Sequence, residues 1–240
     1  MKRIRLLLLA GLAGLAGTGA TATAGAQELQ PFSARYSFEW HGMTAGEATL
    51  KLEHDLGDRW TYRSSTAPRG WGRLFRSRPI VTESLLQQTA TGMRPLRYRA
   101  DDGSDSTDKD LALDFDWEQG RVTGLAGDRR LDMAVPEGTQ DDLSVQIALM
   151  VELLAGHAPE SFRVFDEKGV REYRYVHEGS ETLDTPLGKV ATEVYRSQRD
   201  RSPRATRFWC APAYGFLPMR VEQRRKGELE WNMEILRLSR

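Results

Sequence analysis

DLSVQIALMVELLA, residues 142–155, breaks the rhythm of this 240-residue chain. Leu143, Ile147, Met150, Val151 and Leu154 recur at helical spacing. Val145, Leu149 and Leu153 fill the other side, so the helix is apolar nearly all round. A helix with so little polar surface must be largely buried. Thr139 or Asp141 can cap its start and Gly156 can end it. Asp141-Asp142 reads as charge set against the helix dipole rather than as an acid/base pair.

On either side of this stretch the period drops to two, which marks half-buried strands. Phe32, Ala34, Tyr36, Phe38 and Trp40 alternate with polar residues, His41-Gly42-Met43-Thr44 turns the chain, and Ala48, Leu50 and Leu52 resume the pattern. Trp60 and Tyr62 suggest a third strand. Leu111, Leu113, Phe115 and Trp117 form another, followed by strands from Val122 and through Leu131, Met133 and Val135 to Pro136. After the helix come Phe162 and Val164, a turn at residues 166–169, Tyr173 and Tyr175, then Val190, Thr192 and Val194. Thr206, Phe208 and Cys210 follow, then Met219 and Val221, and last Leu229, Trp231, Met233 and Ile235. Residues 101–110 are Asp-rich and read as the best candidate for a mobile loop. Strands, one buried helix, then strands predict a mainly β fold: a curved antiparallel sheet, a half-barrel, wrapped around one largely buried helix. Two β domains bridged by the helix is the alternative.

The first 26 residues carry Lys2, Arg3 and Arg5, an apolar run from Leu6, and Ala24-Gly25-Ala26 before Gln27. That order is a cleavable signal peptide. The run is Gly/Ala-rich and short of the ~20 residues a membrane span needs. Residues 27–240 are then a single β-rich domain in the periplasm. The leader takes three of the 34 basic residues and none of the 34 acidic ones, leaving 31 against 34 and a net charge of −3. This balance argues against a nucleic-acid partner. Cys210 is the only cysteine, so no internal disulfide forms and a buried thiol is expected.

Several stretches, taken in order, resemble one bacterial family. Tyr36-Ser37-Phe38-Glu39-Trp40 with Gly42 and Ala45-Gly46-Glu47-Ala48 is similar to the family's first hairpin. Arg94-Pro95-Leu96-Arg97-Tyr98 and Phe115-Asp116-Trp117 are similar to its middle strands, and Asp142-Leu143-Ser144 to the opening of its helix. Leu183-Asp184-Thr185-Pro186-Leu187-Gly188, Trp209-Cys210-Ala211-Pro212 and Leu217-Pro218-Met219-Arg220 are similar to its C-terminal half. Cys210 and Ala213 depart from the Leu and Asp of the pattern. The family is DUF3108, exported proteins of unknown function, and the resemblance implies an envelope location and a β-rich fold. By analogy of fold it also implies a likeness to periplasmic lipoprotein carriers, whose half-open barrel wraps a helix and binds acyl chains.

Catalytic patterns are missing from the sequence. There is no G-x-S-x-G, no phosphate loop and no cofactor motif. His41, His54, His157 and His177 have no metal-ligand spacing. The aspartates of residues 101–110 fail the EF-hand order, because Gly103 falls too early. The most suggestive segment is Gly70-Trp71-Gly72-Arg73-Leu74-Phe75-Arg76, between Arg69 and Arg78. Aromatics beside arginines suit an anionic membrane surface or headgroup. The expected function is non-enzymatic: a periplasmic binding protein holding an apolar or lipidic ligand. Trp40, Trp60, Trp71, Phe75 and Trp117 are the expected ligand contacts, and Arg69, Arg73, Arg76 and Arg78 the membrane or headgroup contacts. The alternatives are an envelope structural or interaction protein with a filled interior, and an enzyme with an unrecognised site. An apolar cavity of a few hundred Å³ favours the first reading.

Overall fold

The computed structural model describes residues 28–70 and 78–240. Among these, nine strands precede the helix, the first eight being β1 (Phe32–Trp40), β2 (Met43–His54), β3 (Arg59–Pro68), β4 (Ile80–Thr89), β5 (Gly92–Asp101), β6 (Leu111–Asp116), β7 (Arg121–Ala126) and β8 (Arg129–Ala134). The two-residue β9 (Gln140–Asp141) leads into α1 (Ser144–Leu154). Then come β10 (Ser161–Asp166), β11 (Gly169–Thr185), β12 (Gly188–Arg199), β13 (Arg204–Ala211), β14 (Leu217–Arg225) and β15 (Glu228–Ser239). Residues 1–26, expected to be a signal peptide, lie outside the described residues.

All fifteen strands belong to one sheet, which removes the alternative of two β domains. The pairing is an antiparallel meander, apart from the parallel contact of β9 with β10. β1 pairs with β15, so the two halves of the chain join in the middle of the sheet. The edges are β8 and β9. They share no ladder, so the curved sheet is unclosed: a half-barrel around one helix, as the periodicities predict. The first hairpin turns on His41-Gly42, whose φ values of 48° and 76° suit the tight turn that matches strand twist.

The inward residues of both halves meet the helix. Ile147 and Met150 pack with Tyr36, Leu50, Tyr62 and Leu217. Leu149 and Leu153 pack with Tyr175, Tyr195 and Cys210. Leu143 reaches the cluster of Tyr98, Leu113, Phe115 and Phe165. The helix is therefore buried on most sides. Its end follows the sequence: His157 N donates to Glu152 O (2.9 Å) and Gly156 N to Leu153 O (3.0 Å). Gly156 takes the left-handed conformation, φ 78°, that this double bond requires.

Strand direction gives the barrel two distinct ends. β1, β3, β5, β7, β10, β12 and β14 all run toward one end, here called upper. The turns at residues 41–42, 127–128, 167–168, 200–203 and 226–227 lie there, as do the β3–β4 and β5–β6 connections. Because β9 runs parallel to β10, α1 starts at the upper end and descends. Its last residues, Val151, Leu154 and Ala155, line a recess with Pro31, Trp60 and Gln88 at the lower end. In the Asp-rich loop, Gly103 N donates to Asp101 Oδ1 (2.7 Å) and Ser104 N to Asp102 Oδ1 (2.9 Å). The loop is folded on its own carboxylates.

Candidate functional site

The helix is shorter than the barrel it enters. Eleven residues rise about 16 Å, while the twelve of β15 extend about 40 Å. What the helix does not fill is a cleft of ≈ 300 Å³ between its first turn and the concave sheet.

Register explains the lining. Trp231, Gln223, Thr206, Ser197 and Tyr175 stand side by side across β15, β14, β13, β12 and β11. One rung deeper come Met233, Val221 and Phe208. The helix side supplies Asp142, Leu143, Val145 and Gln146. The walls are mostly apolar or aromatic, with a few polar groups spaced among them. The Tyr62 hydroxyl and the Gln146 Nε2 are buried, and neither has a hydrogen-bond partner among the described residues.

The charged groups sit at the upper rim. Period-two alternation places Arg199, Arg204 and Arg225 on the cleft face, one rung above Ser197, Thr206 and Gln223. Arg204 Nε and Nη2 donate to Glu230 at 2.7 and 2.8 Å, and Gln223 Nε2 donates to it at 2.8 Å. The Arg204 bonds hold the Glu230 carboxyl at about 2, against the cost of its burial. Across the rim, burial and the neighbouring Asp141, Asp166 and Glu167 push Asp142 up to about 7. Water reaches Asp142 within the cleft, so this charge is poorly solvated rather than sealed. Tyr173 lies between the two sides. Burial and the charge of Asp142 raise its hydroxyl pKa, while Arg199 and Arg171 pull it down.

Asp141 is fully buried and structural. Its Oδ1 accepts from Ser144 N (2.6 Å) and Leu143 N (2.9 Å), and its Oδ2 from Ser84 Oγ (2.6 Å). Ser144 Oγ in turn accepts from Asp141 N (2.8 Å). This reciprocal cap starts α1 and ties it to β4. Burial raises the Asp141 carboxyl to about 6, opposed by these donors. With both oxygens so engaged, Asp141 and Asp142 do not form a catalytic carboxylate pair. Thr139 donates to Pro136 O instead of capping the helix.

The sequence-predicted aromatic contacts are dispersed. Trp40 is 48% exposed at the tip of β1, opposite Trp231 on the cleft rim. Trp60 is buried at the lower end, against His54 (4.3 Å) and Gln88. Trp117 stacks on Phe115 and donates to Pro95 O (2.7 Å). None of the three lines the cleft, and no side chain brings them together. Trp71, Phe75, Arg73 and Arg76 lie outside the described residues. Arg69 pairs with Glu47 (3.0 Å) and Arg78 donates to Ser104 O, both at the upper end. Sequence reasoning missed Trp231 as a lining residue, although its alternation with Leu229 and Met233 was visible. Cys210 is fully buried, and burial pushes its thiol pKa well up.

The architecture defines a β-barrel-like class of protein with an open concave face. The model of the family "Protein of unknown function (DUF3108)" matches residues 35–229, and the chain belongs to that family. A β-barrel-like protein of DUF1849 from Brucella abortus has the same fold, with a TM-score of 0.55 at 14% identity over 87% of this chain and 97% of that one. A predicted exported protein of YmcC-like fold from Bacteroides fragilis aligns over 88% and 97% at 10% identity, with a TM-score of 0.35. A predicted lipoprotein from Parabacteroides distasonis aligns over 88% and 96% at 8% identity, with a TM-score of 0.39. No curated protein matches.

Proposed function

We propose that this protein is an exported, non-enzymatic binding protein of the cell envelope that holds an apolar or lipidic ligand in the cleft. The observation that carries this reading is the ≈ 300 Å³ cleft itself, walled by Val145, Tyr175, Phe208, Val221, Trp231 and Met233. Water in such a space has few hydrogen-bond partners, and an apolar chain would release it. The volume suits a single chain better than the body of a two-chain lipid. Export follows from the leader, with cleavage after Ala26 and a mature start at Gln27.

The test is native mass spectrometry of the protein purified from the envelope, joined to titration with the apolar fluorophore N-phenyl-1-naphthylamine. A co-purified single-chain lipid, or saturable fluorophore binding that Val145→Phe abolishes with an unchanged melt, supports the reading. Wild-type protein that carries no lipid and does not bind the fluorophore overturns it and leaves the interior as structural filling.

A further inference from the structure

The rim of the cleft carries opposite charges on opposite walls. On the sheet side, Arg199 and Arg225 fall on the cleft face by alternation and make no ion pair among the described residues. Arg204 stands between them but is committed to Glu230. On the helix side, Asp142 lines the cleft with no hydrogen bond or ion pair among the described residues, and Asp166 and Glu167 act on it from the β10–β11 turn. Tyr173 links the two walls: it lines the cleft with Asp142 and pairs across the ladder with Arg199. The two charges therefore flank one residue of the cleft rather than lying on remote faces.

A purely apolar ligand would leave both sets of charges to water. A ligand with a single anionic head would be held by the arginines and repelled by Asp142. A head with an anion and a cation would satisfy both walls. We infer that the cleft takes a single-chain amphiphile with a zwitterionic head, its phosphodiester on Arg199 and Arg225 and its ammonium on Asp142. The chain occupies the space between Val145 and Phe208. A primary ammonium fits better than a quaternary one, because it donates hydrogen bonds to the carboxylate. This inference rests on the binding reading above and gives it a ligand class.

The test compares probes that share one acyl chain: lysophosphatidylethanolamine, lysophosphatidylglycerol, and the uncharged monoacylglycerol, each displacing the fluorophore from the intact mature protein. The ethanolamine lipid should bind tightest, by about tenfold over each of the others, the scale of one charge-assisted contact. Asp142→Asn should erase its advantage over the glycerol lipid. Arg199→Gln with Arg225→Gln should erase its advantage over monoacylglycerol. Both variants should keep a cooperative melt, and each lipid ranking is read relative to that variant's own affinity for the fluorophore. If all three lipids displace the fluorophore equally, or if the variants leave the ranking unchanged, the inference is wrong while the binding reading stands. If the fluorophore itself does not bind, both fall.

Discussion

The two ends of α1 occupy different environments. Around its last turn Met150 and Leu153 are buried, Trp60 is buried against His54 and Gln88, and hydrogen bonds from Gly156 and His157 end the helix beside the recess lined by Val151 and Leu154. Around its first turn the same helix faces an open cleft, and its polar neighbours are charged. The difference follows from length. An eleven-residue helix inside strands more than twice as tall can fill one end of the barrel and not both. Stability should therefore be concentrated at the lower end and binding at the upper.

The largest effect that could break this comparison is Ile147→Asp. Ile147 is fully buried between both halves of the sheet, and an unpaired charge there costs several kcal/mol. The variant should fail to fold by circular dichroism. A cooperative melt near the wild-type temperature would show that the helix is peripheral.

The two tryptophans at opposite ends sharpen the contrast. Trp60→Ala, at a buried position of the lower end, should cost about 3–5 kcal/mol in a denaturant titration. Trp40→Ala at the open rim should stay within about 0.5 kcal/mol. Equal losses would mean the upper end is as tightly packed as the lower.

The helix cap offers a smaller, pH-dependent effect. Burial raises the Asp141 carboxyl from 3.8 to about 6. The unfolded chain loses this proton more easily than the folded one. The resulting contribution is present in full below about 3.8 and is lost as pH rises through about 6. Asp141→Asn keeps a capping oxygen and removes the titration. Its melting temperature relative to wild type should therefore rise between pH 4 and pH 7. A constant difference would show that Asp141 does not carry a raised pKa. Glu230 works in the opposite sense: its stabilisation is present above 4.5 and is lost as pH falls through about 2.

The smallest effect is kinetic. Cys210 is sealed against Leu149 and Leu153, so a maleimide reagent should label it only on the timescale of unfolding and rapidly in denaturant. Fast labelling of the native protein would mean that the cleft opens down to this layer.

Much of the fold was legible because each strand keeps its inward residues at every second position. β4 and β5 were hard to read from periodicity for a specific reason. Ser84 occupies a fully buried inward position that a strand pattern expects to be apolar. It is polar because it donates to Asp141, 57 residues away. Pro95 and the bulge between Leu85 and Leu86 disturb the same pair. The cleft was less legible still. Its lining comes from single residues on β11 to β15 that adjoin only through register, whereas the sequence drew attention to Trp60 and Trp117, whose indoles are engaged with Gln88 and Pro95.

By itself, then, the sequence determined whatever local chemistry controls: the two periodicities, the single apolar helix, a cap at Thr139 or Asp141, and its Gly156 stop. These depend on residues within a turn or a strand of one another. The tertiary structure alone decided that β1 joins β15, that the helix leaves a cleft at the upper end, and that Asp142 lines this cleft with Tyr173, the ladder partner of Arg199. Burial and charge separation are set by which distant strands meet, and sheet pairing brings together groups that no spacing along the chain connects.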